Sequence, residues 1–181
     1  RLRSLLALRL ASVADVDGVA RLHVESWRQS YRGIYSDSFL DGDPVPERIA
    51  AWTQRLASVE DGCFTIVAER DGAIVGFVYV IPDDGLPNGA LIQNIHVRSS
   101  LKRHRVGSWL LAEAARVLRN QCPSATLSVW VRADNAPAQA FYEALGGRRS
   151  DHKVGGPFAD GSLAPVVRYE WPEPSMLFAS G

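Results

Sequence analysis

Four basic side chains crowd into one short turn, Lys102-Arg103-His104-Arg105-Val106-Gly107-Ser108. The stretch before it, Leu91-Ile92-Gln93-Asn94-Ile95-His96-Val97, sets apolar residues at 92, 95 and 97 with polar ones between, the pattern of a strand. From Trp109 onward the apolar period turns helical. Leu110, Leu111, Ala114, Ala115 and Leu118 form one stripe, with Glu113, Arg116 and Arg119 off it. A strand that feeds through a glycine-containing turn into a helix leaves the helix's first backbone N–H groups without partners. Those donors, the helix dipole and the basic side chains together make an anion site, and phosphate is the anion they suit best.

The elements that must hold this site are read from the rest of the chain. At 181 residues the length suits a single domain over 1–181 with a proper core. Residues 1–6 are expected to form a poorly ordered extension. Lys plus Arg and Asp plus Glu each number 20, so the formal net charge is zero and the basic turn is a local feature. A dedicated nucleic-acid binder carries a basic excess, so no nucleic-acid partner is expected. No apolar run approaches the ~20 residues that span a membrane, and no membrane partner is expected. Cys63 and Cys122 fit neither a metal-ligand spacing nor a disulfide framework. They read as thiols in a reducing cytoplasm, and no metal site is expected.

In order, Ala7–Leu10 reads as a strand, and Ser12 or Asp15 offers an N-cap. Val16, Val19, Ala20, Leu22, Val24 and Trp27 give a helix to about Ser30, ended by Tyr31-Arg32-Gly33. A short helix capped by Ser36 follows, then a helical segment through Ile49, Ala50, Trp52 and Leu56. Aromatics on these pieces (Trp27, Tyr31, Tyr35, Trp52) could wall a pocket if exposed, but the favoured reading is that they pack the helices on a sheet. Cys63–Glu69 and Ala73–Ile81 read as strands joined at Arg70-Asp71-Gly72. After the helix of 105–120 comes a strand over Ala125–Arg132. A helix capped by Asp134 or Asn135, with Pro137 in its first turn, stops at Gly146-Gly147. Arg148–Val154 and Val166–Trp171 close the chain as an antiparallel pair. This order predicts an α+β (α/β-like) fold around one mixed sheet of about seven strands, flanked by about four helices.

The basic turn and the later segment Asp134-Asn135-Ala136-Pro137-Ala138-Gln139-Ala140-Phe141-Tyr142-Glu143-Ala144-Leu145-Gly146-Gly147 are together specific. The pair resembles the GNAT superfamily of acyl-CoA-dependent N-acetyltransferases, over nearly the whole chain. The signature Asn-x-x-Ala-x-x-Phe-Tyr-Glu-x-x-Gly-Phe is matched except for its last aromatic, which is Gly147 here. Glu25-Ser26-Trp27-Arg28-Gln29-Ser30-Tyr31-Arg32-Gly33-Ile34 also looks like the corresponding segment of many bacterial members. The resemblance implies a splayed mixed sheet with acetyl-CoA as co-substrate, its pantetheine arm between two parallel strands. Backbone groups at Ile95, His96 and Val97 then bond the arm. Those of Lys102, Arg103, His104, Arg105, Val106, Gly107 and Ser108 hold the pyrophosphate, and Asn135 bonds the arm. The amine attacks the thioester directly, and Tyr142 acts as general acid toward the leaving thiolate. Trp27 and Tyr31 belong to the acceptor site. A homodimer paired through the C-terminal strands is an option for such folds.

Two further departures bear on this reading. Arg105 stands where the family's turn has its middle glycine. At a negative φ it keeps its N–H in place; at a positive φ it is strained by ~1–3 kcal/mol and cofactor affinity should suffer. Leu91 stands where many relatives carry a glutamate that relays the amine's proton. Of the candidate bases, His96 lies beside the cofactor strand, while His23, Glu25 and Asp37 belong to solvated helix faces, and His104 is a phosphate neighbour. The expected function is acetyl transfer to a primary amine of a small molecule or peptide. The alternative is a catalytically silent acyl-CoA-binding module with a degenerate pyrophosphate turn. A third reading, nucleic-acid binding through Arg98, Lys102, Arg103 and Arg105, predicts steeply salt-dependent binding and is opposed by the zero net charge.

Overall fold

β-Branched and aromatic runs dominate the middle of the chain, and in the computed structural model they assemble into one seven-stranded sheet. Residues 5–83 and 85–180 are described. The strands are β1 (Ala7–Leu10), β2 (Phe64–Arg70), β3 (Ala73–Pro82), β4 (Gly89–Val97), β5 (Thr126–Arg132), β6 (Arg148–Gly155) and β7 (Ala164–Trp171), in the spatial order β1-β2-β3-β4-β5-β7-β6. All pairings are antiparallel except β4 with β5. Among the described residues five α-helices accompany them: α1 (Val16–Ser30), α2 (Asp37–Asp41), α3 (Val45–Ala57), α4 (Val106–Gln121) and α5 (Ala136–Ala144). None is long and apolar enough to cross a membrane. Residues 1–4 of the expected extension lie outside the described residues, and Leu6 packs against the core.

The period-2 alternation of the strands sorts the apolar residues onto two faces. On one face, Ile66, Val78, Val80, Ile92, Leu127, Val129, Val167 and Tyr169 pack under the stripe of α4, where Leu110, Leu111, Ala114 and Ala115 are fully buried. On the other, Val67 and Phe77 receive Val19, Ala20 and Leu22 of α1 and Trp52 of α3. Gly76 of β3 lets α4 close in. A Cβ there would stand 3.1 Å from a Leu110 methyl and 3.3 Å from the His96 carbonyl oxygen.

At the N-terminus, Ser12 opens a single 3-10 turn in a capping box with Asp15, and α1 starts directly after it. Asp15 is buried and accepts two 2.8 Å hydrogen bonds from the Arg9 guanidinium. Asp71 and Gly72, both at positive φ, make the tight β2–β3 turn.

The sheet's decisive irregularity is in β4. Tyr79 faces Asn94 but Val80 faces Ile92, so Gln93 is an extra residue on β4, a bulge that bends the strand. Pairing with β5 covers only Gly89–Ile92 against Thr126–Val129. Beyond that point β4 stays with β3 while β5 stays with β7, and the sheet opens into a V.

Candidate active site

The V is lined on its β4 side by Asn94 to Val97, whose β5-facing backbone edge has no strand partner among the described residues. Ile95 and Val97 turn into the α4 core, and His96 turns to the α1 face. The backbone of 95–97 is therefore open to an extended ligand entering as an added strand.

The turn that follows delivers the chain to the start of α4. Arg103 and Arg105 both take left-handed backbone, at φ 67° and 69°. Arg105 is the residue directly before the helix, so it occupies with a side chain the conformation that glycine adopts freely. The cost is ~1–2 kcal/mol, and the positive-φ case set out from the sequence is the one realised. The N–H groups of Val106, Gly107 and Ser108 form the first helical turn, where α-helical geometry supplies no acceptor. Ser108 closes the turn by donating from Oγ to the Arg105 carbonyl at 3.1 Å. Lys102, Arg103, His104 and Arg105 are exposed. Lys102 Nζ donates to Ser30 Oγ at 2.6 Å, which ties the turn to the end of α1. This donor set suits the phosphates of a coenzyme A tail, with N–H groups and cations converging on one helix start.

Helix α5 locks onto that helix start from the side. A Cβ on Gly107 would meet the Phe141 ring at 3.0 Å, so this glycine is the socket in which Phe141 sits. Asn135 caps α5 by accepting from Ala138 N–H at 3.2 Å. Its oxygen is thereby engaged, and its side-chain NH2 is the group left for a cofactor arm. Tyr142 is buried, with its ring 5.3 Å from Phe141, 6.1 Å from Tyr169 and 5.9 Å from Trp171. Burial, and secondarily the Tyr31 phenol, hold its hydroxyl well above the usual phenol pKa, so it stays protonated. Tyr142 belongs to the α4–α5 side of the sheet and Tyr31 to the end of α1 on the other.

On the acceptor side, Tyr31 stacks on Tyr35 at 4.7 Å and 11°, with the His96 ring 6.5 Å away. Tyr31 is partly exposed, and burial raises its pKa while Arg132 opposes the rise. Of the two readings of the helix aromatics, Trp27, Tyr35 and Trp52 follow the packing one. They are 5%, 8% and 0% exposed, because α1, α2 and α3 fold their aromatic faces onto the sheet and onto each other. Trp27 therefore stands behind Tyr35 and Phe39, with Arg48 over its ring at 5.1 Å. The 156–163 loop completes the wall. Ser36 N–H donates to Asp160 at 3.2 Å, Phe158 packs 6.4 Å from Tyr35, and Arg132 lies 5.0 Å above the Phe158 ring.

The candidate bases separate clearly. His23 is corrected from a solvated face to the core. It is fully buried, accepts from Trp52 Nε1 at 3.1 Å through Nδ1, and has no partner for Nε2. Helical spacing carried the signal, since 16, 19, 20, 23 and 27 form one stripe. His96 lies ring to ring with His23 at 4.7 Å, and desolvation pushes its pKa down to about 3. Asp37 is exposed and paired with Arg32 at 3.2 Å. Glu25 is half-buried on α1, with Gln29 donating to it at 3.5 Å. Among the described residues no group of three or more His, Cys, Asp or Glu side chains is placed to hold a metal ion. Arg132 and Phe158 were not singled out from the sequence. Alternation puts Arg132 on the face of Ser128 and Trp130, whereas only the folded loop brings Phe158 to it.

Comparison with known proteins agrees with this geometry. Residues 24–147 match the family model described as the acetyltransferase (GNAT) family. A probable N-acetyltransferase of Mycobacterium tuberculosis is 29% identical over 138 residues, covering 76% of this chain and 77% of that protein. A spermidine N(1)-acetyltransferase of Thermoplasma acidophilum is 22% identical, covering 76% and 84%. The crystal structure of the PaiA N-acetyltransferase of Thermoplasma acidophilum, in complex with coenzyme A, superposes with a TM-score of 0.68 at 18% identity, covering 92% of this chain and 99% of that one. The chain belongs to the acetyltransferase (GNAT) family, as an acyltransferase that takes its acetyl group from acetyl-CoA.

Proposed function

We propose that this protein transfers an acetyl group to a primary amine of a small molecule or peptide by direct attack, with Tyr142 as the general acid. The observation that carries the reading is the opening of the sheet beside the α4 helix start, where β4 leaves β5 and buried Tyr142 packs next to the Phe141 ring seated on Gly107. The amine enters from the α1 side, past Tyr31 and Tyr35. Its nitrogen lone pair forms the new bond to the thioester carbonyl carbon, and the carbon–sulfur bond breaks. Tyr142 gives its proton to the sulfur as negative charge develops there, and the proton lost by the nitrogen restores the phenol through solvent. A phenol of pKa ~10 or above is matched to a thiolate of pKa ~8–9 only as that charge forms, so burial keeps the proton in place until it is needed.

Leu91 has no proton chemistry, and a His96 held neutral with its pKa pushed down to about 3 is a weak base toward an ammonium. We infer that the acceptor arrives neutral or loses its proton to solvent, which makes turnover rise with pH toward the acceptor's own pKa. In this reading the N–H groups of 106–108 and the cations of 102–105 hold the pyrophosphate, and 95–97 hold the arm. Tyr31 touches the acceptor with Trp27 supporting it from behind. The deciding experiment is calorimetric titration with acetyl-CoA, with free thiol followed in parallel over a panel of amines. Micromolar binding with amine-dependent thiol release is the expected result. Binding without release across the panel would instead favour the silent acyl-CoA-binding module.

A further inference from the structure

We propose that Arg132, with Arg168 beside it, forms an anion subsite for the acceptor, so that the preferred acceptor is an amine carrying a carboxylate, as amino acids do. This rests on the acetyl-transfer reading above and adds the acceptor's class to it.

On β5 and β7, Val129, Val131, Val167 and Tyr169 point into the α4 core. The alternate residues Ser128, Trp130, Arg132 and Arg168 point to the other face, with Trp130 opposite Arg168 across the pair. Helices α1 and α3 pack over β2, β3 and β4 on that side, and the Arg-bearing strands continue the acceptor wall beyond them. Arg132 spends Nε and Nη2 on Asp134, at 3.0 and 2.9 Å, while Nη1 is buried without an acceptor. Arg168 spends Nη2 on Ser128 Oγ at 2.7 Å and Asp83 at 3.4 Å, while its Nε is buried without an acceptor. Among the described residues four buried side-chain nitrogen or oxygen atoms lack a partner. Two of them are these guanidinium nitrogens, on adjacent strands and the same face.

A buried N–H of a charged group is costly to leave unpaired, so a pair of them on one wall asks for a ligand oxygen. A purely supporting role for Arg132 uses the nitrogens bonded to Asp134 and the guanidinium face turned to Phe158, and it leaves the in-plane N–H of Nη1 without an acceptor. The location also fits. Arg132 ends β5 on the far side of the V, with its guanidinium over Phe158, and Phe158 packs against Tyr35, which stacks on Tyr31. An acceptor lying along Tyr31 and Tyr35 can therefore extend its other end toward Arg132. A carboxylate presents the planar pair of oxygens that a guanidinium matches best. The competing acceptor is a polyamine. Its attraction is Asp43 and Glu47 at a hollow of about 540 Å³ between α2, α3 and Ala159, but Arg48, paired with Glu47, lines the same hollow.

The test compares amines that differ only in the carboxylate: phenylalanine against 2-phenylethylamine, and methionine against 3-methylthiopropylamine, with spermidine as the polycation. Thiol release is measured at saturating acetyl-CoA. The amino acid of each pair is expected to have the higher kcat/KM by about tenfold or more, chiefly through KM. R132Q is expected to bring that ratio close to one, and R132K to recover part of it. Equal or reversed preference in the wild-type protein, or spermidine as the best acceptor, would overturn the subsite without any variant being needed. A parallel titration of phenylalanine into the protein–CoA complex separates the two readings. Arg132-dependent binding without thiol release in the kinetic assay would leave the subsite standing and remove the acetyl-transfer reading. Release from all amines without preference would do the reverse.

Discussion

In the proposed reaction Tyr142 is the general acid, and its surroundings make a clean experiment possible. Its ring packs among Phe141, Tyr169 and Trp171, so Tyr142→Phe keeps the packing and removes only the hydroxyl. Turnover is expected to fall about 10²-fold or more, the range of a lost general acid, with acetyl-CoA affinity little changed. A normal rate would remove Tyr142 from the mechanism. Arg105 offers the opposite kind of test. Its left-handed backbone costs ~1–2 kcal/mol, and glycine would return ~0.5–1 of that as extra freedom of the unfolded chain. Arg105→Gly should therefore raise stability by roughly 0.5–1 kcal/mol, read as a higher Tm. An unchanged or lower Tm would mean that contacts of the arginine side chain outweigh the backbone strain. The sequence carried the identity of both residues, but not the sign of φ at 105. That sign depends on how far the turn must swing to bring α4 down onto Gly76.

At the scale of elements, the phosphate turn works only if α4 and α5 hold a fixed relation, and the contact that sets it is Phe141 on Gly107. Gly107→Ala puts a methyl where the ring now lies at 3.0 Å, so α5 must shift or the ring must turn. Overpacking of this kind costs ~1–3 kcal/mol. Melting temperature and acetyl-CoA affinity should fall together, because the same glycine serves the helix start and the socket. A loss confined to stability would show that the N–H groups of 106–108 do not depend on α5. The elements themselves were legible in the chain. The stripe of Leu110, Leu111, Ala114, Ala115 and Leu118 is the buried face of α4, and the alternation of β5 is the alternation seen. What periodicity does not carry is register. The bulge at Gln93 arises from how β3 and β4 align, and so does the point at which β4 leaves β5. Packing of Trp27, Tyr35 and Trp52 on the sheet was legible, whereas the closing of three helices on one another was not, since it belongs to no one of them.

For the molecule as a whole, the two histidines that link α1 to β4 set its response to acid. His23 and His96 lie 4.7 Å apart with Phe77 within 5.5 Å of each, and both are held neutral, His23 well below the usual histidine range and His96 at about 3. Unfolding exposes them to water, where a histidine has a pKa of ~6.5. Above ~6.5 neither state binds these protons and stability does not depend on them. Below it, the unfolded chain takes up protons that the native protein refuses, so stability falls as pH falls. The limiting slope is ~1.4 kcal/mol per pH unit for each histidine, or ~2.7 for both, and it continues down to about pH 3. Asp15 acts in a lower window. Hydrogen bonds from Arg9 depress its pKa, so its contribution is fully present above ~4 and is lost only as pH falls through its lowered folded value. Urea unfolding at pH 7.5, 6.5, 5.5 and 4.5 should show a plateau followed by a decline, and His96→Phe should reduce the slope by about half if it folds. The wild-type curve decides the matter without that variant. Stability unchanged down to pH 4.5 would mean that the histidine pair is hydrated and titrates normally. In that case His96 would regain standing as the base that Leu91 cannot be.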